Sequence, residues 1–212
     1  ISNMQAGVGR REGLSGAGIL VAIIDSGIAA ENMEFRKADG STRILNIWDQ
    51  TEDMEMNKAE IDKALLEKRA RDIPGRDISG HGSNVAAIAC GNNGVAYQAA
   101  IIVVKIGISR NHSFPRTTQL MAAIDYVMQK AITYGMPVAI NLSFGNNYGS
   151  HMGNSLLERF INDSSMSWKN TVCIGSGNEG LGATHVGGVL QSNEEHTVEL
   201  AISAYETALN IQ

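Results

Sequence analysis

Six consecutive aliphatic residues, Ile19-Leu-Val-Ala-Ile-Ile24, run without a polar interruption into Asp25-Ser-Gly27. A strand facing water on one side would alternate, and this one does not, so both of its faces must be buried. That demands a sheet covered by helices on both sides. It also leaves the Asp25 carboxylate at the strand's carboxyl end, the edge where open α/β sheets collect ligands.

The rest of the chain supplies the matching parts. Arg43 to Asp49 reads as a short strand, Ala99 to Ile106 as a second doubly buried one. Pro137 to Ser143 and Thr171 to Gly175 complete the set. Between them, Asn57 to Arg71 reads as a surface helix opened by an Asn57/Glu60 capping box. Thr117 to Tyr134 carries Leu120, Ala123, Ile124, Val127, Met128 and Ala131 at helical period, and Ser155 to Asp163 is amphipathic. A short helix is expected near Asn3. Strand and helix alternate, which predicts an α/β fold with a mostly parallel, right-handed wound sheet. Twenty-three glycines against four phenylalanines suit helices lying close on such a sheet.

After Gly180 the texture changes. His196-Thr-Val-Glu-Leu-Ala-Ile202 and Thr207-Ala-Leu-Asn-Ile-Gln212 alternate with period two, the pattern of one-face-exposed sheet. Residues 1–196 are therefore expected to form one α/β unit, with 197–212 opening a second, β-type domain that stops short.

The stretch Asp77-Ile-Ser-Gly-His81-Gly-Ser-Asn-Val-Ala-Ala-Ile-Ala-Cys-Gly91 places a histidine between two glycines at the start of a small-sided helix. Glycines there permit a tight turn and close approach to the ring. A third polar stretch, Gly175-Ser-Gly-Asn178-Glu-Gly180, follows the last strand. An Asp and an Asn at two strand ends, with a His opening a helix, make up most of an acyl-transfer site. The Asp orients the imidazole, the ring deprotonates a serine, and the Asn amide donates to the oxyanion. Singly, each has a plainer reading: turn or cap for the Asp, structural for the His, turn former for the Asn. Their succession on consecutive strand–helix junctions favours the chemical one.

Charge and composition exclude other classes. A net charge of −5 without a basic, aromatic-rich cluster speaks against nucleic acid. No apolar run spans a bilayer, so no membrane partner is expected. The two cysteines, Cys90 and Cys173, lie in apolar runs and read as small core residues. No Cys/His cluster has zinc-like spacing, so no metal or cofactor is implied. Asp49, Glu52, Asp53 and Glu55 read as a solvated acidic loop.

Asp25-Ser-Gly27, the His81 stretch and Val172-Cys-Ile-Gly-Ser-Gly-Asn178-Glu-Gly resemble the aspartate, histidine and oxyanion motifs of subtilisin-like serine proteases. Gly94-Val-Ala-Tyr-Gln-Ala is similar to that family's lead into the next strand. Asn141-Leu-Ser-Phe-Gly-Asn-Asn-Tyr-Gly-Ser-His-Met-Gly-Asn-Ser and Glu194-Glu-His-Thr-Val-Glu-Leu resemble the Csp-type spore-germination branch in particular. The resemblance implies a three-layer subtilisin-like fold and a serine endopeptidase using Asp25, His81 and, in the oxyanion hole, Asn178. It further implies a substrate strand at Ser143, Phe144 and Gly145, and a pocket wall at Gly175, Ser176 and Gly177. The implied partners are a protein or peptide substrate, a pro-segment and the remainder of the same protein. The implied setting is spore-associated or extracytoplasmic.

The sequence departs from the family pattern in three places. No serine here matches the family's nucleophile motif, and none sits in a Gly-x-Ser-x-Gly elbow. The nucleophile is therefore expected beyond Gln212, this fragment alone is expected to be inactive, and self-association through a face left uncovered is one expected consequence. The loop after Cys90 is shorter than the family's calcium loop, and Ser83-Asn84 replaces the frequent Thr-His. Two other readings stand beside the protease: a non-catalytic pseudoprotease or binding scaffold of the same fold, and a dinucleotide-binding domain. The second fails on order, because Gly13 to Gly18 precede the strand instead of opening the helix after it.

Overall fold

The computed structural model describes residues 13–107, 115–144, 152–178 and 186–201. Six strands form one sheet: β1 (Leu20–Asp25), β2 (Ile44–Asp49), β3 (Met54–Asn57), β4 (Ala100–Lys105), β5 (Val138–Leu142) and β6 (Asn170–Ile174). Their order across the sheet is β3-β2-β4-β1-β5-β6. All pairs are parallel except β2–β3. β1 is therefore central, and every residue of it is buried, as its unbroken aliphatic run requires.

Among the described residues, four α-helices cover the two faces: α1 (Lys58–Leu66), α2 (His81–Cys90), α3 (Thr117–Tyr134) and α4 (Leu156–Ser165). Alternate residues of β1 divide between two cores. Leu20, Ala22 and Ile24 join Leu120, Ala123, Ile124, Val127 and Met128 of α3. Val21 and Ile23 join Ile61 of α1 and Ala86 and Cys90 of α2. Each fully buried Ile, Leu or Val contributes about 1.5–3 kcal/mol of transfer free energy, so the doubly buried strand is the main anchor of both layers. The result is a three-layer α/β fold.

The helix ends follow their sequence signals. Asn57 accepts from the Ala59 and Glu60 amides while Glu60 returns a bond to the Asn57 amide, closing the box at α1. α3 runs over the span its periodicity indicates and stops at Gly135, which takes the left-handed conformation. Ser155 and Glu158 form a second capping box at α4.

Several expectations need correction. The acidic stretch 49–55 is not simply a solvated loop. Asp49 is buried at the end of β2, and Glu55 lies in the antiparallel strand β3. There Glu55 pairs with Lys130 at 2.7 Å and accepts from Tyr126 at 2.8 Å and Asn46 at 3.0 Å, tying the hairpin to α3. Glu52 and Asp53 do remain exposed. Cys90 is buried as expected, whereas Cys173 is exposed: Val172 packs against the α3 core, so the next residue points to the opposite face of β6, which no described element covers there. Residues 196–201 form no strand despite their alternation: period two marks which face a residue would occupy but supplies no partner to pair with. The helix expected near Asn3 lies outside the described residues. No helix among the described residues is long and apolar enough to cross a membrane.

Candidate active site

Parallel pairing sends the carboxyl ends of β1, β2, β4, β5 and β6 to one edge of the sheet, and the candidate residues gather there. Asp25 is the last residue of β1, with 1% of its surface exposed. His81 is the first residue of α2. The two meet: His81 Nδ1 lies 2.7 Å from Asp25 Oδ1, with 57% of the histidine side chain open to solvent. The Ser26 amide donates to the same carboxylate oxygen at 2.7 Å.

This contact orders the ring chemically. A carboxylate accepts only, so Nδ1 carries the proton and Nε2 is the basic nitrogen. Asp25 Oδ2 is buried and receives no hydrogen bond among the described residues.

Two glycines make the approach possible. Gly80 takes φ 79°, a left-handed conformation that turns the chain into α2. Gly82 faces the Asp25 loop so closely that a Cβ would stand 2.3 Å from the Gly27 carbonyl oxygen and 3.1 Å from Asp25 Oδ1. Any side chain there would push the His81 helix away from its acid.

Around the pair lies a polar frame not singled out from the sequence. Asp77 Oδ1 accepts from the Gly80 amide at 2.9 Å and from Ser26 Oγ at 2.9 Å, and Oδ2 accepts from the Ser83 amide at 2.8 Å. Burial alone would raise the Asp77 carboxyl, but the bonds from Ser83, Ser26 and Gly80 outweigh it and hold the group below the usual carboxylate range. One strand over from β4, Asp49 accepts from the Gly75 amide at 3.0 Å and the Thr51 amide at 2.8 Å, with Lys105 Nζ 3.2 Å away. It too is held low: burial pushes up, and the Thr51 and Gly75 bonds with the Lys105 charge pull further down. Gly75 in turn receives the Ile28 amide at 2.8 Å, so Asp49 anchors the segment that leads to His81. The sequence signal for this frame was the Asp four positions before the histidine, present but unassigned.

The other predicted residues are less constrained. Asn178 lies exposed just beyond β6, on the same edge as Asp25, and no hydrogen bond among the described residues joins it to Asp25 or His81. Gly175, Ser176 and Gly177 are exposed beside it, and the Gly175 amide donates to the Leu142 carbonyl at 3.0 Å. Ser143 and Phe144 follow β5 without belonging to a strand, and Ser143 Oγ accepts from Asn141 at 2.7 Å. Gly145 lies outside the described residues. Among the described residues no group of His, Cys, Asp and Glu is arranged to hold a metal ion.

The family profile of the subtilases, peptidase family S8, matches residues 16–208, and the chain belongs to that family. Among solved structures it is similar to the CspB protease of Clostridium perfringens, at 37% identity and a TM-score of 0.82, over 88% of this chain and 42% of that one. Sphericase shares the fold at 20% identity and a TM-score of 0.57, with 78% of this chain and 48% of that chain covered. The S41 psychrophilic protease does so at 22% and 0.50, over 76% and 45%. The chain thus spans less than half the length of each of these proteins. Among curated proteins it has no match.

Proposed function

We propose that this chain supplies the acid–base half of a serine endopeptidase whose nucleophile lies in polypeptide beyond Gln212. The observation that carries the reading is the 2.7 Å bond from His81 Nδ1 to the sealed Asp25 carboxylate. It leaves Nε2 basic, oriented and open to solvent, which is what a general base for a serine hydroxyl requires.

In this reading His81 removes the serine proton as the hydroxyl attacks the scissile carbonyl, then returns it to the leaving amine. Asp25 holds the tautomer and offsets the imidazolium charge. Asn178 donates its side-chain amide to the oxyanion, and the segment from Ser143 to Gly145 pairs with substrate main chain. The position of Asn178 on the Asp25 edge supports its role. The substrate is a protein or peptide, and the present chain alone does not turn over.

The test is active-site labelling of the full-length protein with a fluorophosphonate. The wild type should label, and His81→Ala should abolish it. The 212-residue chain on its own should stay unlabelled. Labelling of the full-length protein that persists in His81→Ala would refute the assignment.

A further inference from the structure

The amides from Gly80 to Ser83 open α2 and have no partners within the helix. Gly80 stands at the N-cap and has no side chain to offer them. All four find acceptors elsewhere, and all four acceptors are side-chain oxygens. Gly80 and Ser83 donate to Asp77 at 2.9 and 2.8 Å, Gly82 donates to Ser26 Oγ at 3.0 Å, and His81 donates to Ser79 Oγ at 3.2 Å.

These acceptors form a connected frame. Ser26 Oγ donates to Asp77 Oδ1 at 2.9 Å, and Ser79 Oγ lies 3.1 Å from the same oxygen and 2.9 Å from Ser26 Oγ. The Ser26 amide, for its part, bonds to Asp25 Oδ1, the oxygen that holds His81. A closed circuit results: Asp77 to Ser26, Ser26 to Asp25, Asp25 to His81, and His81 through its own helix back to Asp77. Beside it, Ser83 Oγ accepts from the Ala29 amide at 2.9 Å, a second strut between the helix and the β1 loop.

We propose that Asp77, acting through Ser26, is a positioning residue that fixes how the His81 helix meets the Asp25 carboxylate. This rests on the reading of His81 as the general base. Capping alone would need one short side chain at the N-cap. Here a carboxylate several residues earlier binds the helix amides and the loop after β1 together. Bonds to an ionised carboxylate are about twice as strong as neutral ones, so the two catalytic segments share one stiff acceptor. Proton transfer is sensitive to such placement: a misplacement of about 1 Å can cost roughly 100-fold in rate.

The test uses the full-length protein and a peptide substrate. Ser26→Ala, which keeps Asp77 but cuts its link to the Asp25 loop, should lower kcat about 10- to 100-fold with KM nearly unchanged. Ser26→Thr, which keeps the hydroxyl, should recover most of the lost rate. Asp77→Ala should fall at least as far, and Asp77→Asn, which retains one acceptor oxygen, should lie between. Thermal unfolding of each variant reports whether it folds, and the Ser26 pair decides the matter even if Asp77→Ala does not. An active wild type whose folded Ser26→Ala variant keeps its kcat, or whose Ser26→Thr variant is no better than Ser26→Ala, would overturn this inference alone. A wild type that neither turns over nor labels would overturn the protease reading, and the inference with it.

Discussion

Lys105 and Asp49 meet at the carboxyl ends of neighbouring strands, with the ammonium 3.2 Å from a carboxylate that has 1% of its side-chain surface exposed. The same carboxylate takes the Gly75 amide, so one buried charge closes the β2–β4 edge and pins the segment that continues to His81. Removing one partner of a buried pair strands the other. Asp49→Asn should therefore cost about 3 kcal/mol of unfolding free energy, measured as a drop in the urea midpoint at constant slope. A variant as stable as the wild type would show that the pair contributes nothing net.

Acid should find the same groups. Asp49 and Asp77 are both held below the ordinary carboxylate range in the folded protein, whereas in the unfolded chain they titrate near about 3.9. As pH falls, the unfolded state takes up these protons first. The stability they contribute is thus complete above about pH 5 and is lost as pH drops below about 4 toward their folded values. Urea midpoints measured from pH 7 downward should decline over that window, and Asp77→Asn should flatten the decline. Midpoints independent of pH there would contradict the assignment.

The two thiols should separate cleanly by reactivity. Cys90 is sealed between α2 and the sheet, donates to the Ala86 carbonyl at 3.3 Å, and burial pushes it up to about 12. The reactive species is the thiolate, so Cys90 should resist alkylation. Cys173 on the edge strand should react. Titration of this chain with a disulfide reagent should count one thiol in native buffer and two in denaturant, and two fast thiols in the native protein would contradict the burial of Cys90.

Gly82 offers a test of close packing. A methyl group there would meet the Gly27 carbonyl oxygen at 2.3 Å, and both belong to backbone that cannot swing aside. Gly82→Ala should destabilise by about 2 kcal/mol and widen the His81–Asp25 separation. A crystal structure of the variant with the 2.7 Å contact intact would refute this.

The parts of the fold that were legible from sequence are those decided by local pattern. β1 and β4 are aliphatic up to their last residues, Asp25 and Lys105, and proved to be adjacent central strands, and α3 follows its own period from Thr117 to Tyr134. The Asp25–His81 pair was legible because residue type, glycine placement and strand ends agreed. What escaped depends on which partners a segment meets in the folded chain. β3 has only four residues and little apolar character; it exists because Asp49 to Asn46 pair with Met54 to Asn57 and Lys130 and Tyr126 hold Glu55. Cys173 is exposed because nothing described packs on its face of β6, which no window around it encodes. The Asp77 frame escaped because serines and an aspartate in a loop look the same whether they face water or one another.

The strand order also has a consequence in time. β1 is the first of the described strands, yet its neighbours are β4 and β5, both of which come much later. During synthesis its edges must wait unpaired until polypeptide as far as Lys105 can close the first of those pairings, and the face that packs on α3 stays uncovered longer still. Such delayed, long-loop contacts are slow to form and expose sticky surface meanwhile. Once β4 docks, Asp25 and His81 are already within one assembled half of the sheet, on segments 56 residues apart. The Asp25–His81 contact should thus mature as an early module, with β5, β6 and Asn178 added to its open side afterwards.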